Sequence, residues 1–214
     1  MRPVRSYGEY CSVAKALDVV GDRWTLLVVR ELLLRGRCRY TDLRAGLPGI
    51  ATNLLADRLR ELEQAGLVVR EEAPPPVATT LFALTDRGRA LEPVLHALGR
   101  WGMPYMAPGP APGDEFRGHW LAWPVQEFLR DGAPDGPPVS LAVAVDGEPF
   151  VIAADGGAIT VTAGRGEDAD ARIAGSPHAV LALLSGGVSV EAAADTFGLR
   201  FEGDEAVLDR LVRR

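Results

Sequence analysis

The chain has 214 residues, 47% hydrophobic and 24% charged, a balance that fits one or two globular domains and differs from that of a disordered chain. No run of about 18 apolar residues occurs, so no membrane-spanning helix is expected. Two cysteines and three scattered histidines are too few and too unpatterned for a disulfide framework or a zinc site. The net charge of −6 is uneven, +3 over residues 1–106 and −9 over residues 107–214, which points to two domains with different tasks.

The stretch before Cys11 lacks the apolar segment of a signal peptide, so a cytoplasmic location is expected. Cys11 to Val20 reads as a short amphipathic helix ended by Gly21-Asp22-Arg23. Trp24 to Leu34 reads as a second helix, apolar nearly all round at Leu26 to Val29 and therefore expected to be buried on several sides. Arg35 to Arg39 reads as an arginine-rich loop. Tyr40 to Ala45 reads as a short helix, and Gly46-Leu47-Pro48-Gly49 as a tight break.

A longer helix follows, from about Ala51 to Ala65. Leu55, Leu59 and Leu62 recur at i, i+4, i+7 and form its apolar stripe. Asn53, Ala56, Asp57, Arg60 and Gln64 fall on the other side, and Gly66 stands where a C′ glycine ends a helix. A short helix turning sharply into a longer one is either an ordinary helical hairpin or a helix-turn-helix, whose second helix lies in a DNA major groove. The β-prone flanks 67–72 and 78–85, joined across Pro74-Pro75-Pro76, read as a two-stranded wing. That order is the one a winged-helix DNA-binding domain follows. Thr85 or Asp86 caps a further helix carrying Leu91, Leu95, Leu98 and Trp101. This stripe packs on its own domain or forms the seam of a homodimer, since a lone winged helix reads few base pairs.

Residues 107–114, rich in Pro, Gly and Ala, read as a semi-rigid linker. Glu115 to Arg130 reads as helical with a break at Pro124. Strands are expected at 139–145, 148–153, 158–162, 171–174 and 199–202, with turns at Asp146-Gly147 and 155–157. Ser176-Pro177 opens a helix through Leu184, and Ala206 to Arg213 reads as a last helix. The whole is an α+β chain: a domain over 1–106, a linker, and a sheet-and-helices domain over 115–214. No nucleophile–base pair, phosphate loop or metal cluster is recognisable, so neither an enzyme nor a resident cofactor is expected.

Two resemblances sharpen this reading. Cys11-Ser12-Val13-Ala14, Gly21-Asp22-Arg23-Trp24, Pro48-Gly49-Ile50, Arg58-Leu59, Gly66-Leu67-Val68, Leu84-Thr85-Asp86-Arg87-Gly88 and Trp101-Gly102 resemble the HxlR family of bacterial winged-helix regulators over about residues 8–105. The resemblance implies a homodimeric transcription factor binding operator DNA, with an N-terminal helix in the dimer interface. It also implies a thiol-sensing role for a cysteine near the N-terminus. Ala51 and Asn53 stand where the family commonly has serine and lysine, so a helix cap and a positive charge are missing. The wing has no Lys or Arg from Glu71 to Leu84. Phosphate contacts are therefore expected on Arg37, Arg39, Arg44 and Arg58, and base reading on Thr52, Asn53 and Arg60.

Over about residues 115–214, Arg172-Ile173-Ala174-Gly175-Ser176-Pro177, Leu181-Ala182-Leu183-Leu184-Ser185-Gly186 and Phe201-Glu202-Gly203-Asp204 resemble the sterol carrier protein type of lipid-binding domain. This implies a sheet with helices on one face and an apolar cavity that takes an apolar small-molecule effector. Trp120, Trp123, Phe128, Phe150 and Phe201 either line that cavity or fill the core. Cys11 and Cys38 are either packed thiols or a redox pair whose disulfide alters DNA affinity, with the second domain then only structural. A lipid carrier using the winged helix for protein contacts is the remaining alternative.

Overall fold

The computed structural model describes residues 6–73, 79–106, 108–145 and 148–213, without the side chains of 126–128, 148 and 212–213. The expected triple-proline connection and the Asp146-Gly147 turn therefore lie outside the described residues. The chain divides into two compact units, Met1–Arg100 and Trp101–Arg214.

The first unit begins with α1 (Ser12–Val20) and α2 (Thr25–Arg35). Trp24 does not open α2 as expected. It precedes the helix in the left-handed conformation (φ 78°), which costs a bulky L-residue about 1–2 kcal/mol. Nor is α2 buried all round: Val28, Val29 and Leu32 are buried, but Leu27 is exposed. The expected arginine loop contains a short strand, β1 (Cys38–Arg39), followed by α3 (Tyr40–Ala45) and α4 (Thr52–Gln64).

In α4 the apolar stripe is fully realised, with Leu55, Leu59 and Leu62 each at most 2% exposed. Its end is a Schellman motif: Leu67 N–H donates to Leu62 C=O and Gly66 N–H to Glu63 C=O. Gly66 takes the positive φ (70°) this requires. β2 (Val68–Glu72) and β3 (Thr80–Leu84) pair antiparallel, Val68 opposite Leu84, and β1 adds to β3 with Cys38 opposite Phe82. Thr85 caps α5 (Asp86–Arg89), accepting from Gly88 N–H while donating to Gly66 C=O. α6 (Glu92–Gly102) follows, with Leu95 buried and Val94, Leu98 and Trp101 exposed.

In the second unit a short 3₁₀ turn (Gly118–Leu121) leads into α7 (Ala122–Phe128) and β4 (Leu129–Asp131). Pro124 does not break α7. It sits in the first turn, where its missing N–H needs no partner. The strands β5 (Val139–Val145), β6 (Glu148–Asp155), β7 (Ala158–Ala163) and β8 (Ala171–Gly175) precede α8 (Pro177–Leu184) and α9 (Val190–Phe197). β9 (Arg200–Gly203), α10 (Ala206–Arg210) and β10 (Leu211–Arg213) complete it.

The five-stranded sheet has the order β7-β6-β5-β8-β9, with only the β5–β8 pair parallel. α9, capped by Ser189, lies outside the sequence expectation. The expected final helix is shorter, because Leu211–Arg213 pair with β4 instead. Central strands and α8 supply the core: Leu141, Val143, Val145, Ile152, Ile173 and Val180 are all 1% exposed or less.

Candidate nucleic-acid interface

α4 presents Thr52 and Asn53 in its first turn and Arg60 in its second half as exposed residues; Asn53 and Arg60 lie opposite the leucine stripe that anchors the helix. Arg60 pairs with Asp57 at 2.8 Å, both side chains more than half exposed. Such a pair is worth well under about 1 kcal/mol, so Arg60 can exchange Asp57 for a stronger acceptor. The helix entry is tied to α3 by Tyr40, whose hydroxyl donates to Thr52 C=O at 2.6 Å. No side chain caps the α4 N-terminus, where Ala51 sits in extended conformation.

Around this face the arginines divide. Arg39 and Arg44 are exposed. Arg37 is exposed and pairs with Glu71 of the wing at 3.0 Å. Arg58, expected at the DNA backbone, lies inside the unit instead, 4% exposed. Its guanidinium pairs with Asp22 and with Glu61 (2.7 Å). The spacing held the signal: Arg58 is i+3 from Leu55 and therefore on the buried side.

Two further charged features escape a reading by pattern. Glu31 is fully buried and paired with Arg30 (2.9 Å) and Arg35 (3.2 Å). It packs so closely on the α3–α4 turn that a side chain on Gly46 would begin 2.0 Å from its Oε2. Arg70 of β2 bonds Glu63 at 3.1 Å and covers the Phe82 ring, placing one basic group beside the otherwise acidic wing. Arg39, Arg70, Thr79 and Thr80 share a groove of about 280 Å³ with Tyr40, Thr41 and Phe82.

The cysteines are unlike each other, and both are free. Cys11 is exposed at the start of α1, where the backbone N–H groups of Ala14 and Val13 hold its pKa below that of an ordinary thiol. Cys38 is buried under β3, and burial pushes its thiol up to about 11, outweighing the nearby Arg35. The arginines around Cys38 do not activate it, because desolvation dominates.

In the second unit Phe150 is a buried core residue, and Phe201 packs half-buried against that core. Trp120 and Trp123 are half-buried, with Phe116 edge-on to Trp120 at 5.8 Å. The Phe128 side chain lies outside the described residues. A cavity of about 830 Å³ has none of Trp120, Trp123, Phe150 and Phe201 in its wall; it is lined by Arg130, Asp131, Val139, Asp170, Asp204, Val207, Asp209 and Arg210 among others. The Asp131–Arg210 pair there is bidentate (2.8 and 3.0 Å), and Arg210 holds the Asp131 carboxyl down at about 2.

Comparison with known proteins places the first unit. Residues 19–110 match the HxlR-like helix-turn-helix family. The HTH-type transcriptional regulator YvaP of Bacillus subtilis is 36% identical over 94 residues, 44% of this chain and 86% of that protein. The regulator sll1512 of Synechocystis is 35% identical over 104 residues, 49% of this chain and 76% of that one. Among solved structures, the reduced form of the transcriptional regulator YodB from B. subtilis superposes with a TM-score of 0.41 at 30% identity, covering 48% of this chain and all of that one. The family match and the two sequence relatives show that the chain belongs to the HxlR-like helix-turn-helix family, through residues 19–110.

Proposed function

We propose that this chain is a DNA-binding transcriptional regulator that acts as a homodimer. One observation carries the reading: the side of α4 opposite its buried leucines is open, with Asn53 and Arg60 exposed there and Thr52 exposed in the first turn. Asn and Arg on such a face read adenine and guanine in the major groove. Arg37, Arg39 and Arg44 flank it as phosphate contacts. Arg58 is left out of that set, because its charge is already used inside the unit. A dimer seam is supported by apolar residues left exposed on α1 (Val13, Leu17) and α6 (Val94, Leu98).

The test is selection of a duplex from a random-sequence pool, followed by affinity against salt. Three phosphate contacts per subunit, six per dimer, correspond to a log–log slope of roughly −5. Failure to enrich any sequence, or binding without salt dependence, overturns the reading.

For residues 115–214 we propose an effector-binding domain of the sterol carrier type, supported by its mixed sheet and by α8, whose Ala179, Val180, Leu183 and Leu184 are buried. The aromatics favour a filled core over a lined cavity at Phe150. Native mass spectrometry of the purified protein, with and without added fatty acid, tests this; an unliganded mass in both arms counts against it. Thiol control is the second reading, favoured by exposed Cys11 with its lowered pKa. Cys38, buried as a thiol, is a poor partner for it.

A further inference from the structure

The connection between α1 and α2 is built differently from a simple turn. Gly21 closes α1 where nothing larger fits, since a side chain there would begin 2.6 Å from Leu17 C=O. Trp24 is the one non-glycine residue with positive φ among the described residues. The Arg23 guanidinium lies over its ring at 5.8 Å. A bulky residue stays in that conformation only where its surroundings hold it.

An ion pair and a close approach lead from this corner to the α3–α4 motif. The Trp24 indole edge lies 3.9 Å from where a side chain on Gly49 would begin, in the turn that delivers the chain into α4. Asp22 pairs with Arg58, half-way along α4. Arg58 is buried, and its Nε has no hydrogen-bond partner, so the guanidinium is fixed by its carboxylates alone. A buried, doubly paired arginine resists displacement, because moving it leaves a charge uncompensated.

We propose that the Gly21–Trp24 corner is the positioning device for the DNA-reading helix, with Asp22 and Arg58 as its positioning pair. Trp24 sets the entry of α4, and Asp22 sets its rotation through Arg58. Because the corner is the direct continuation of α1, a shift of α1 passes to α4 through this ion pair and this close approach. This rests on the reading of α4 as the DNA-contacting helix.

Asp22→Ala is the informative variant. Asp22 is half exposed, and Arg58 keeps Glu61 at 2.7 Å, so no bare charge is left inside. The probes are a duplex selected by the wild-type protein from a random pool and a scrambled duplex of equal length. Asp22→Ala is expected to weaken the selected duplex roughly tenfold and to leave the scrambled one unchanged. Asp22→Glu is expected to recover most of the loss. Amide exchange in the DNA-free protein should quicken in residues 52–58 and not in α2 or β3.

Unchanged affinity for the selected duplex overturns the proposal. So does an equal loss on both duplexes with faster exchange throughout the unit, which would mark the pair as general scaffolding. If the wild-type protein enriches no duplex, the DNA-binding reading has failed separately. The exchange measurement then still decides whether the corner holds α4, and unchanged rates in residues 52–58 overturn it.

Discussion

Two arginines two positions apart on one helix, Arg58 and Arg60, do opposite work. A step of about 100° per residue puts them about 200° apart around the axis, so one is buried and the other exposed. The exposed one is available to a base edge. Arg60→Ala should cost about 1–3 kcal/mol against the selected duplex and relax preference at one base pair. An equal loss on every sequence variant would instead make Arg60 a phosphate contact. The thiols differ for the same kind of reason. Cys11 is exposed with a lowered pKa, whereas Cys38 is a buried thiol titrating near 11. Pulsed alkylation at pH 7.5 read by peptide mass should label Cys11 quickly and Cys38 only after unfolding. Equal labelling rates would show that burial does not protect Cys38.

At the scale of an element, α4 is held by packing and by its C-terminal stop rather than by an N-terminal cap. Its leucine stripe and Schellman stop are complete, but its N-terminus has no capping side chain. Ala51 already has the extended backbone of an N-cap, so Ala51→Ser needs no rearrangement. It should stabilise the chain by about 0.5–2 kcal/mol, read as a raised midpoint in denaturant. An unchanged or lowered midpoint would mean that the hydroxyl does not reach the free N–H groups of the first turn. β1 shows the converse influence. Cys38–Arg39 becomes a strand only because β3 is there to pair with it, and that pairing buries the thiol.

For the whole molecule, the apolar residues exposed on α1 and α6 are where the proposed dimer seam is tested. In the proposed dimer, Leu98→Glu should shift the sedimentation of the chain from dimer to monomer in analytical ultracentrifugation and reduce duplex affinity with it; a dimer left undisturbed would place the seam elsewhere, and a wild-type monomer would remove it. The second unit carries its own pH dependence. Asp131 titrates at about 2 in the folded chain because of Arg210, against about 3.9 unfolded. A depressed carboxyl contributes stability that is present above about pH 4 and lost as pH falls towards 2. Asp131→Asn should flatten that part of the acid unfolding curve, followed by tryptophan fluorescence. A curve that keeps its shape would put the acid sensitivity on other carboxylates.

Helix-turn-helix, wing, the strands of the five-stranded sheet and several helix ends were legible without a structure because each depends on neighbours within a few residues. Leu55, Leu59 and Leu62 declare a buried face by spacing, Gly66 a helix end by its conformational freedom, and Ser176-Pro177 a helix start. The fate of charged and reactive groups was not legible in this way. Arg58 is buried because Asp22, 36 positions earlier, meets it; Glu31 is buried between two arginines; Cys38 is covered by a strand more than 40 positions later. Desolvation depends on what the rest of the chain places around a group, so only the tertiary structure decided which arginines face outward and which one is buried.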